Sequence, residues 1–179
     1  MPRGARTIEL NSVTRPSIVG NILHAFYAGM VIFKASCSEN LVSSNHFLHD
    51  HEPWIPKQSH DNGLDDLFGL LTIEGNHNSI IGNHFSEILD QENIKPLGAK
   101  PVIIRLVKGN HNYVATNNVV ATEAHSESGD SAFAAQVDSL LTTEVSAPID
   151  VTTVLVEAEA VQNTILDSGT EAQVVLDTR

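Results

Sequence analysis

The sequence predicts a parallel β-helix, an all-β solenoid in which each coil of the backbone stacks on the next. Short apolar segments alternate with polar turns along the chain. Two asparagines five residues apart recur in three successive repeats, as the pairs Asn40/Asn45, Asn78/Asn83 and Asn112/Asn117. Internal repeats of this kind are typical of solenoid folds.

The spacing of the second asparagine agrees with such coils. It recurs at positions 21, 45, 83 and 117, so successive copies lie 24, 38 and 34 residues apart. The shortest spacing fits one β-helix coil, and the longer ones fit a coil with an insertion of 14 or 10 residues. A weaker copy, Pro16/Asn21, precedes these pairs, and a degenerate one, Asn163/Ser168, follows them.

Asparagines at the same corner of successive coils can bond both their own turn and the asparagine of the next coil. Two asparagine columns therefore predict two stacked corners. The alternative is an ordinary β-sandwich with Asn-rich turns, because short strands separated by turn signals are common in that fold.

The composition suits one domain built from thin β-coils. The chain has 179 residues, of which 41% are apolar and only 5% aromatic, so aliphatic side chains fill the predicted core. A net charge of −12 argues against binding to nucleic acid or to an anionic membrane. No apolar run is long enough to span a bilayer, and the first six residues are not followed by the apolar region of a signal peptide.

The single cysteine, Cys37, excludes an internal disulfide and a cysteine-based zinc site. It shares an inward repeat position with Val13, Gly75 and Gly109, which predicts a small buried side chain.

The histidines follow the same repeat. His77 and His111 hold one repeat position and His46 and His84 another, so we expect them to form two columns. No third ligand has metal-site spacing, and we predict neither a metal nor a cofactor.

Four coils are predicted in the first two thirds of the chain, at about residues 8–23, 30–48, 71–85 and 104–120. An insertion at 49–66 carries the only tryptophan, Trp54, and loops of this length are usually functional or disordered. A second insertion covers residues 88–100.

The amino-acid composition of the chain changes after Glu123. Residues 124–150 are rich in Ser, Ala, Thr and acidic residues, and 130–141 fit a helix or a mobile excursion. The strand pattern returns at 151–156, 163–166 and 172–176, which predicts terminal coils within 151–179. Together with the coils over about 7–123, these segments predict a single β-helix domain over 1–179.

The strand pattern begins at Thr7 with nothing ahead of it to cap the first coil. A solenoid needs a terminal cap or a further coil, because its end is otherwise an open sheet edge. We therefore expect this chain to be the C-terminal part of a longer protein.

Carboxylates are the candidate catalytic groups, and cleavage of a sugar bond needs two of them. Glu9 stands out because it lies between two apolar strand residues, with Arg3 and Arg6 close enough in sequence to hold it ionised. From the pattern alone, a solvated surface acid is the commoner interpretation of each single candidate: Glu9, Glu39, Glu52, Asp61, Asp65, Asp66, Glu74 and Glu87.

Six stretches carry a family resemblance: residues 2–9, 27–31, 38–42, 45–47, 62–70 and 98–101. The most specific one contains Asn62-Gly63-Leu64-Asp65-Asp66. Together they resemble the inulin fructotransferases, which release difructose dianhydride from inulin. The similar difructose-anhydride hydrolases share the fold and much of the site.

The resemblance implies a right-handed, pectate-lyase-like parallel β-helix that lacks its N-terminal coils here. It also implies a homotrimer with active sites at the subunit interfaces, a fructan substrate and no cofactor. Members of the family are often secreted, and this chain shows no signal peptide. The family uses an Asp/Glu pair. The match places the Glu on Glu9, and the Asp would fall just before Met1.

The resemblance further implies a fructotransferase or lyase reaction with Glu9 as the general acid/base. We expect Arg6, Trp54, Asp65 and Asp66 to contact the substrate; for Trp54 a trimer contact is the alternative. If the chain is complete as given, we expect little turnover. The other interpretations are a difructose-anhydride hydrolase and a non-catalytic, carbohydrate-binding or structural β-helix.

Overall fold

The computed structural model describes residues 8–25, 29–49, 69–89, 102–123, 151–166 and 174–176. Every regular element within these ranges is a β-strand. None of the described residues forms a helix long and apolar enough to cross a membrane.

The strands follow one another in groups of three. The first two groups are β1 (Ile8–Leu10), β2 (Ser17–Val19), β3 (Ile22–Ala25), β4 (Val31–Phe33), β5 (Leu41–Ser43) and β6 (His46–His49). The next two are β7 (Leu71–Ile73), β8 (Ser79–Ile81), β9 (His84–Leu89), β10 (Val102–Asn110), β11 (Tyr113–Ala115) and β12 (Asn118–Glu123). The last described strands are β13 (Thr152–Val161), β14 (Thr164–Leu166) and β15 (Val174–Leu176). Strands therefore lie within each of the four predicted coil segments and in the three segments predicted after residue 150.

Three parallel sheets result, because each group stacks on the next. Sheet A has the order β1-β4-β7-β10-β13-β15, sheet B the order β14-β11-β8-β5-β2, and sheet C the order β12-β9-β6-β3. Every strand pair is parallel, and equivalent residues of the first three coils are in register. The chain is a parallel β-helix, and the β-sandwich alternative is wrong.

Alternation along the strands fills the interior with aliphatic and aromatic side chains. Phe47 and Phe85 occupy equivalent positions in sheet C, and their rings stack with centroids 4.6 Å apart. Val42, Ile80 and Val114 form the equivalent buried column of sheet B. Removing one such aromatic side chain from a core typically costs about 3–5 kcal/mol.

Both predicted asparagine columns are present. In the second column, each Oδ1 accepts hydrogen bonds from the backbone N–H and the Nδ2 of the asparagine one coil earlier. The distances are 3.0–3.1 Å from Asn21 through Asn45 and Asn83 to Asn117. The first column runs from Asn40 through Asn78 and Asn112 to Asn163.

The prediction that each asparagine bonds its own turn is wrong for most of the second column. Only Asn21 does so, by donating to the carbonyl of Val19 at 3.1 Å. Asn45, by contrast, donates to the carbonyl of Ile18 in the preceding coil at 2.8 Å. The coils stack closely enough for that carbonyl to lie within reach of the amide. Ser168 of the degenerate copy lies outside the described residues.

The residue before each asparagine has a left-handed backbone conformation, which the sequence analysis did not predict. In the second column, Gly20, Ser44, Gly82 and Thr116 have φ between 54° and 70°. Each pair of left-handed residue and asparagine forms the bend between sheet B and sheet C. A non-glycine residue in this conformation is unfavourable by roughly 1–2 kcal/mol, so the asparagine bonds offset a local strain.

Cys37 is buried, as predicted, and donates its thiol to the carbonyl of Leu10 at 3.1 Å. Gly75 lies at the equivalent place in the next coil, where an added Cβ would fall 2.0 Å from the carbonyl oxygen of Cys37. A Cβ on Gly109 would fall 2.2 Å from the carbonyl oxygen of Gly75. The backbones approach so closely here that only glycine fits in these two coils.

Some of the predicted segments lie outside the described residues. These are the excursion at 124–150, including its candidate helix at 130–141, and nearly all of both insertions.

Candidate active site

Glu9 lies in the middle of β1, on the outer face of sheet A. Its neighbours Ile8 and Leu10 pack against the core, so the predicted alternation is confirmed. The Glu9 side chain is exposed, and Nδ2 of Asn11 donates to its Oε1 at 3.4 Å.

The other predicted site residues, Arg6, Trp54, Asp65 and Asp66, lie outside the described residues. Their roles stay predictions.

Successive coils continue the Glu9 position along the outer face of sheet A as Ile32, Thr72, Arg105 and Leu155. Ile32 and Thr72 are 1% and 3% exposed, although neither faces the core of the coils. The buried Thr72 hydroxyl has no hydrogen-bond partner. The two positions that follow Glu9 in this row, Ile32 and Thr72, are therefore shielded from solvent.

Two residues further along the strands, the outer face becomes charged and partly open. Lys34 Nζ lies 2.9 Å from Oε1 of Glu74, and Lys108 Nζ lies 3.5 Å from its Oε2. Burial raises the pKa of Glu74, but the two ammonium groups outweigh it and leave the pKa below its ordinary value. We call Lys34, Glu74 and Lys108 the charged track.

A second ion pair joins Arg105 Nε to Oε1 of Glu157 on the same face, with side chains 13% and 23% exposed. The register of β10 and β13 shifts between Leu106 and Lys108, next to this pair. The sequence did not indicate this pair, because its two residues lie 52 positions apart and the irregularity beside them leaves no local pattern.

Two other candidate carboxylates lie elsewhere. Glu39 pairs with Arg15 at 2.7 Å in an exposed position, and its hydrogen bond and negative charge raise the pKa of Arg15. Glu87 is fully buried on the inner side of sheet C, with Oε1 2.5 Å from Nδ1 of His49. A surface role for Glu87 is therefore wrong; it follows Phe85 by two residues, and this spacing on one strand could have indicated its inward direction.

The two predicted histidine columns are confirmed. His77 and His111 stack with ring centroids 5.0 Å apart, and His46 and His84 meet edge to face at 4.8 Å. Burial, together with the neighbouring His46, lowers the pKa of His84. Among the described residues, no three His, Cys, Asp or Glu side chains converge as metal ligands would.

Comparison with known proteins gives the family. Residues 44–179 match the model described as the beta-helix repeat of inulin fructotransferase. The chain belongs to this family. The match begins after β5, so it leaves Glu9 outside.

This chain is similar to an inulin fructotransferase [DFA-I-forming] of Arthrobacter globiformis, with 41% identity over 117 residues. That alignment covers 65% of this chain and 28% of the relative.

Among solved structures, a DFA-IIIase from Arthrobacter chlorophenolicus A6 in complex with DFA-III is 56% identical, with a TM-score of 0.75. The comparison covers 96% of this chain and 40% of that one. The same enzyme in complex with GF2 gives 56% identity and a TM-score of 0.72, over 93% of this chain and 39% of that one. This member of the family therefore spans well under half the length of these relatives.

Proposed function

We propose that this β-helix takes part in the depolymerisation of inulin by intramolecular transfructosylation, which releases difructose dianhydride. Glu9 is the general acid/base. Family membership and the 41% identical inulin fructotransferase support the reaction class. The exposed carboxylate of Glu9 on the outer face of sheet A is the observation that carries the assignment.

In the proposed step, Glu9 protonates the oxygen that joins the terminal fructose pair to the rest of the chain. The bond between this oxygen and the anomeric carbon breaks, and a hydroxyl of the same pair forms a new bond to that carbon. The hydroxyl proton passes to a second carboxylate, for which the sequence resemblance indicates an Asp upstream of Glu9. No water is consumed, so the sugars must be held in a bent arrangement that excludes water.

Arg6, Trp54, Asp65 and Asp66 are the proposed substrate contacts. Trp54 suits a sugar face because a flat ring can stack on it.

Product analysis with inulin tests the reaction, on this chain and on any longer natural form that contains it. Glu9→Gln keeps the size of the side chain and removes the transferable proton, so we expect the rate of dianhydride release to fall by about 10²–10⁴-fold. The matched control is Glu39→Gln, an exposed carboxylate at a corner of the coil. Retention of more than about a tenth of the rate by Glu9→Gln would remove Glu9 from the role.

A difructose-anhydride hydrolase is the second candidate, favoured by the 56% identity to a DFA-IIIase solved with DFA-III. The same carboxylate chemistry serves both reactions, with water replacing the sugar hydroxyl as the attacking group. Incubation with the dianhydride separates them, because only the hydrolase consumes it to give the linear disaccharide.

We also propose that the chain forms a homotrimer. Among the strand residues whose side chains are described, the outward positions of sheets B and C hold no Asp, Glu, Lys or Arg. Copies that each carry a net charge of −12 approach most easily through such surfaces.

Light scattering after size exclusion should give a mass of three times 19.3 kDa. Val120→Glu on sheet C should lower this mass, whereas Val175→Glu, similarly exposed on sheet A, should not. A wild-type mass of 19.3 kDa would contradict the trimer.

A further inference from the structure

Charge is segregated on the described outer faces. All of Glu9, Lys34, Glu74, Arg105 and Lys108 belong to the outer face of sheet A or its immediate continuation. Among the strand residues of sheets B and C whose side chains are described, the outward positions carry no charged residue. The chain as a whole is 18% charged, so a fold that only required solubility would spread these side chains over all three faces.

The charged track retains capacity for hydrogen bonds. Each lysine ammonium has three donors, of which Glu74 takes one from Lys34 and one from Lys108. Each oxygen of Glu74 faces one ammonium and can accept a further hydrogen bond. The track therefore offers charged donors and acceptors side by side after its own ion pairs are made.

The track is accessible and has the dimensions of a short piece of sugar chain. The side chains of Lys34, Glu74 and Lys108 are 33%, 18% and 40% exposed. They come from three successive coils, so the track is about 10 Å long at the usual strand spacing.

The track also continues from the proposed catalytic carboxylate. Asn11, which donates to Glu9, precedes Lys34 by one coil at the same level of the sheet. Lys34 is fixed there by its backbone N–H, which donates to the carbonyl of Leu10 at 3.0 Å. A chain held near Glu9 could therefore extend across Lys34 onto Glu74.

We propose that the charged track is a subsite for the fructan chain, beyond the pair of sugars that reacts at Glu9. This inference rests on the proposed function. Fructan is a neutral polymer whose many hydroxyls both donate and accept hydrogen bonds. Hydrogen bonds to charged groups are roughly twice as strong as neutral ones, which suits adjacent ammonium and carboxylate groups to such a ligand. The subsite favours long inulin over short oligosaccharides, because only a long chain reaches both Glu9 and the track.

The experiment measures dissociation constants by calorimetry for two probes, long-chain inulin and a fructo-oligosaccharide of three sugar units. Glu74→Gln and Lys108→Met should each weaken binding of long inulin by about tenfold, the loss expected for one hydrogen bond to a charged group. Binding of the trisaccharide should change by less than about twofold. Lys108→Met keeps most of the apolar stem, so it tests the track if Glu74→Gln fails to fold.

Glu39→Gln is the matched control. It removes the same charge from an ion-paired carboxylate on an outer corner, away from the track. Long-inulin binding should be unchanged in this variant. A purely structural ion network predicts a changed unfolding midpoint with unchanged inulin binding, and that result would overturn the subsite. Equal weakening by Glu39→Gln, or no inulin binding by the wild-type chain, would also overturn it.

Failure of the subsite and failure of the proposed reaction have different readouts. If dianhydride is released and Glu74→Gln binds long inulin normally, the subsite is wrong and the reaction stands. If the track variants weaken inulin binding and a longer natural form that contains the upstream Asp yields no dianhydride or disaccharide, the subsite stands as a binding surface and the reaction is wrong.

Discussion

The asparagine corner between sheets B and C and the charged track on sheet A are both made of polar side chains, but they differ in every other respect. The corner is uncharged and repeated in each coil, and Asn45, Asn83 and Asn117 are buried there. Its asparagines bond one another at 3.0–3.1 Å. The track is partly exposed, charged and made of different residues in each coil. A repeated buried feature stabilises the stack, whereas a unique exposed one is available for a ligand.

The largest expected effect on stability is at the corner. Asn83 accepts two hydrogen bonds from Asn45 and donates to Asn117 and to the carbonyl of Val42. Asn83→Ala leaves several of these buried groups without partners, so we expect a loss of about 3–5 kcal/mol in the free energy of unfolding. Urea denaturation measures it.

Asn21→Ala is the control for that prediction, since Asn21 lies exposed at the end of the same column. We expect a loss of about 1 kcal/mol or less there. Equal losses at the two positions would show that the column does not act as a buried ladder.

A smaller effect on stability, which acidification removes, is expected at the track. The pKa of Glu74 in the folded chain is below its ordinary value of 4.5, so its contribution to stability is fully present above that pH. The contribution is lost as the pH falls from 4.5 through the lower folded value. A partly exposed pair of this kind contributes about 1 kcal/mol or less.

Comparing wild type with Glu74→Gln from pH 7 to pH 3 measures this contribution. The difference in free energy of unfolding should shrink towards zero at the acidic end. A difference that is the same at pH 7 and pH 3 would mean that the ionised Glu74 does not stabilise the fold.

The smallest effect is expected at the exposed ion pair of Arg15 and Glu39. Both side chains are largely in solvent, at 76% and 48% exposure. Water and salt screen such a pair, so Arg15→Gln should leave the urea midpoint unchanged. A clear shift of the urea midpoint in low salt would show that this ion pair, like the ion pairs of the track, stabilises the fold.

Much of the fold could be read from spacing. Asn45, Asn83 and Asn117 predict the stacked corner because a residue that bonds its own equivalent must recur once per coil. The close approach at Gly75 and the burial of Cys37 follow from the same repeat. The left-handed conformation of the residue before each asparagine could not be predicted from the repeat, since Ser44 and Thr116 share no side-chain chemistry with Gly20 and Gly82.

The candidate site was less predictable. The sequence indicated the outward direction of Glu9, because two apolar neighbours determine the face of a strand. It did not indicate that Glu74 lies between Lys34 and Lys108, which are 40 and 34 residues away. Insertions of different length separate the coils, so side chains that meet on one face have no constant spacing in the sequence.

The sequence by itself therefore determined the coil, its two asparagine columns, the outward direction of Glu9 and the burial of Cys37. These depend on the local periodicity of one chain segment and on its repetition. Only the tertiary structure decided which charges neutralise each other on sheet A and that Glu87 meets His49 in the interior. Those contacts join different coils. Coulomb attraction depends on the distance between two charges in space, and burial depends on which side chains surround a group. The order of residues along the chain gives neither.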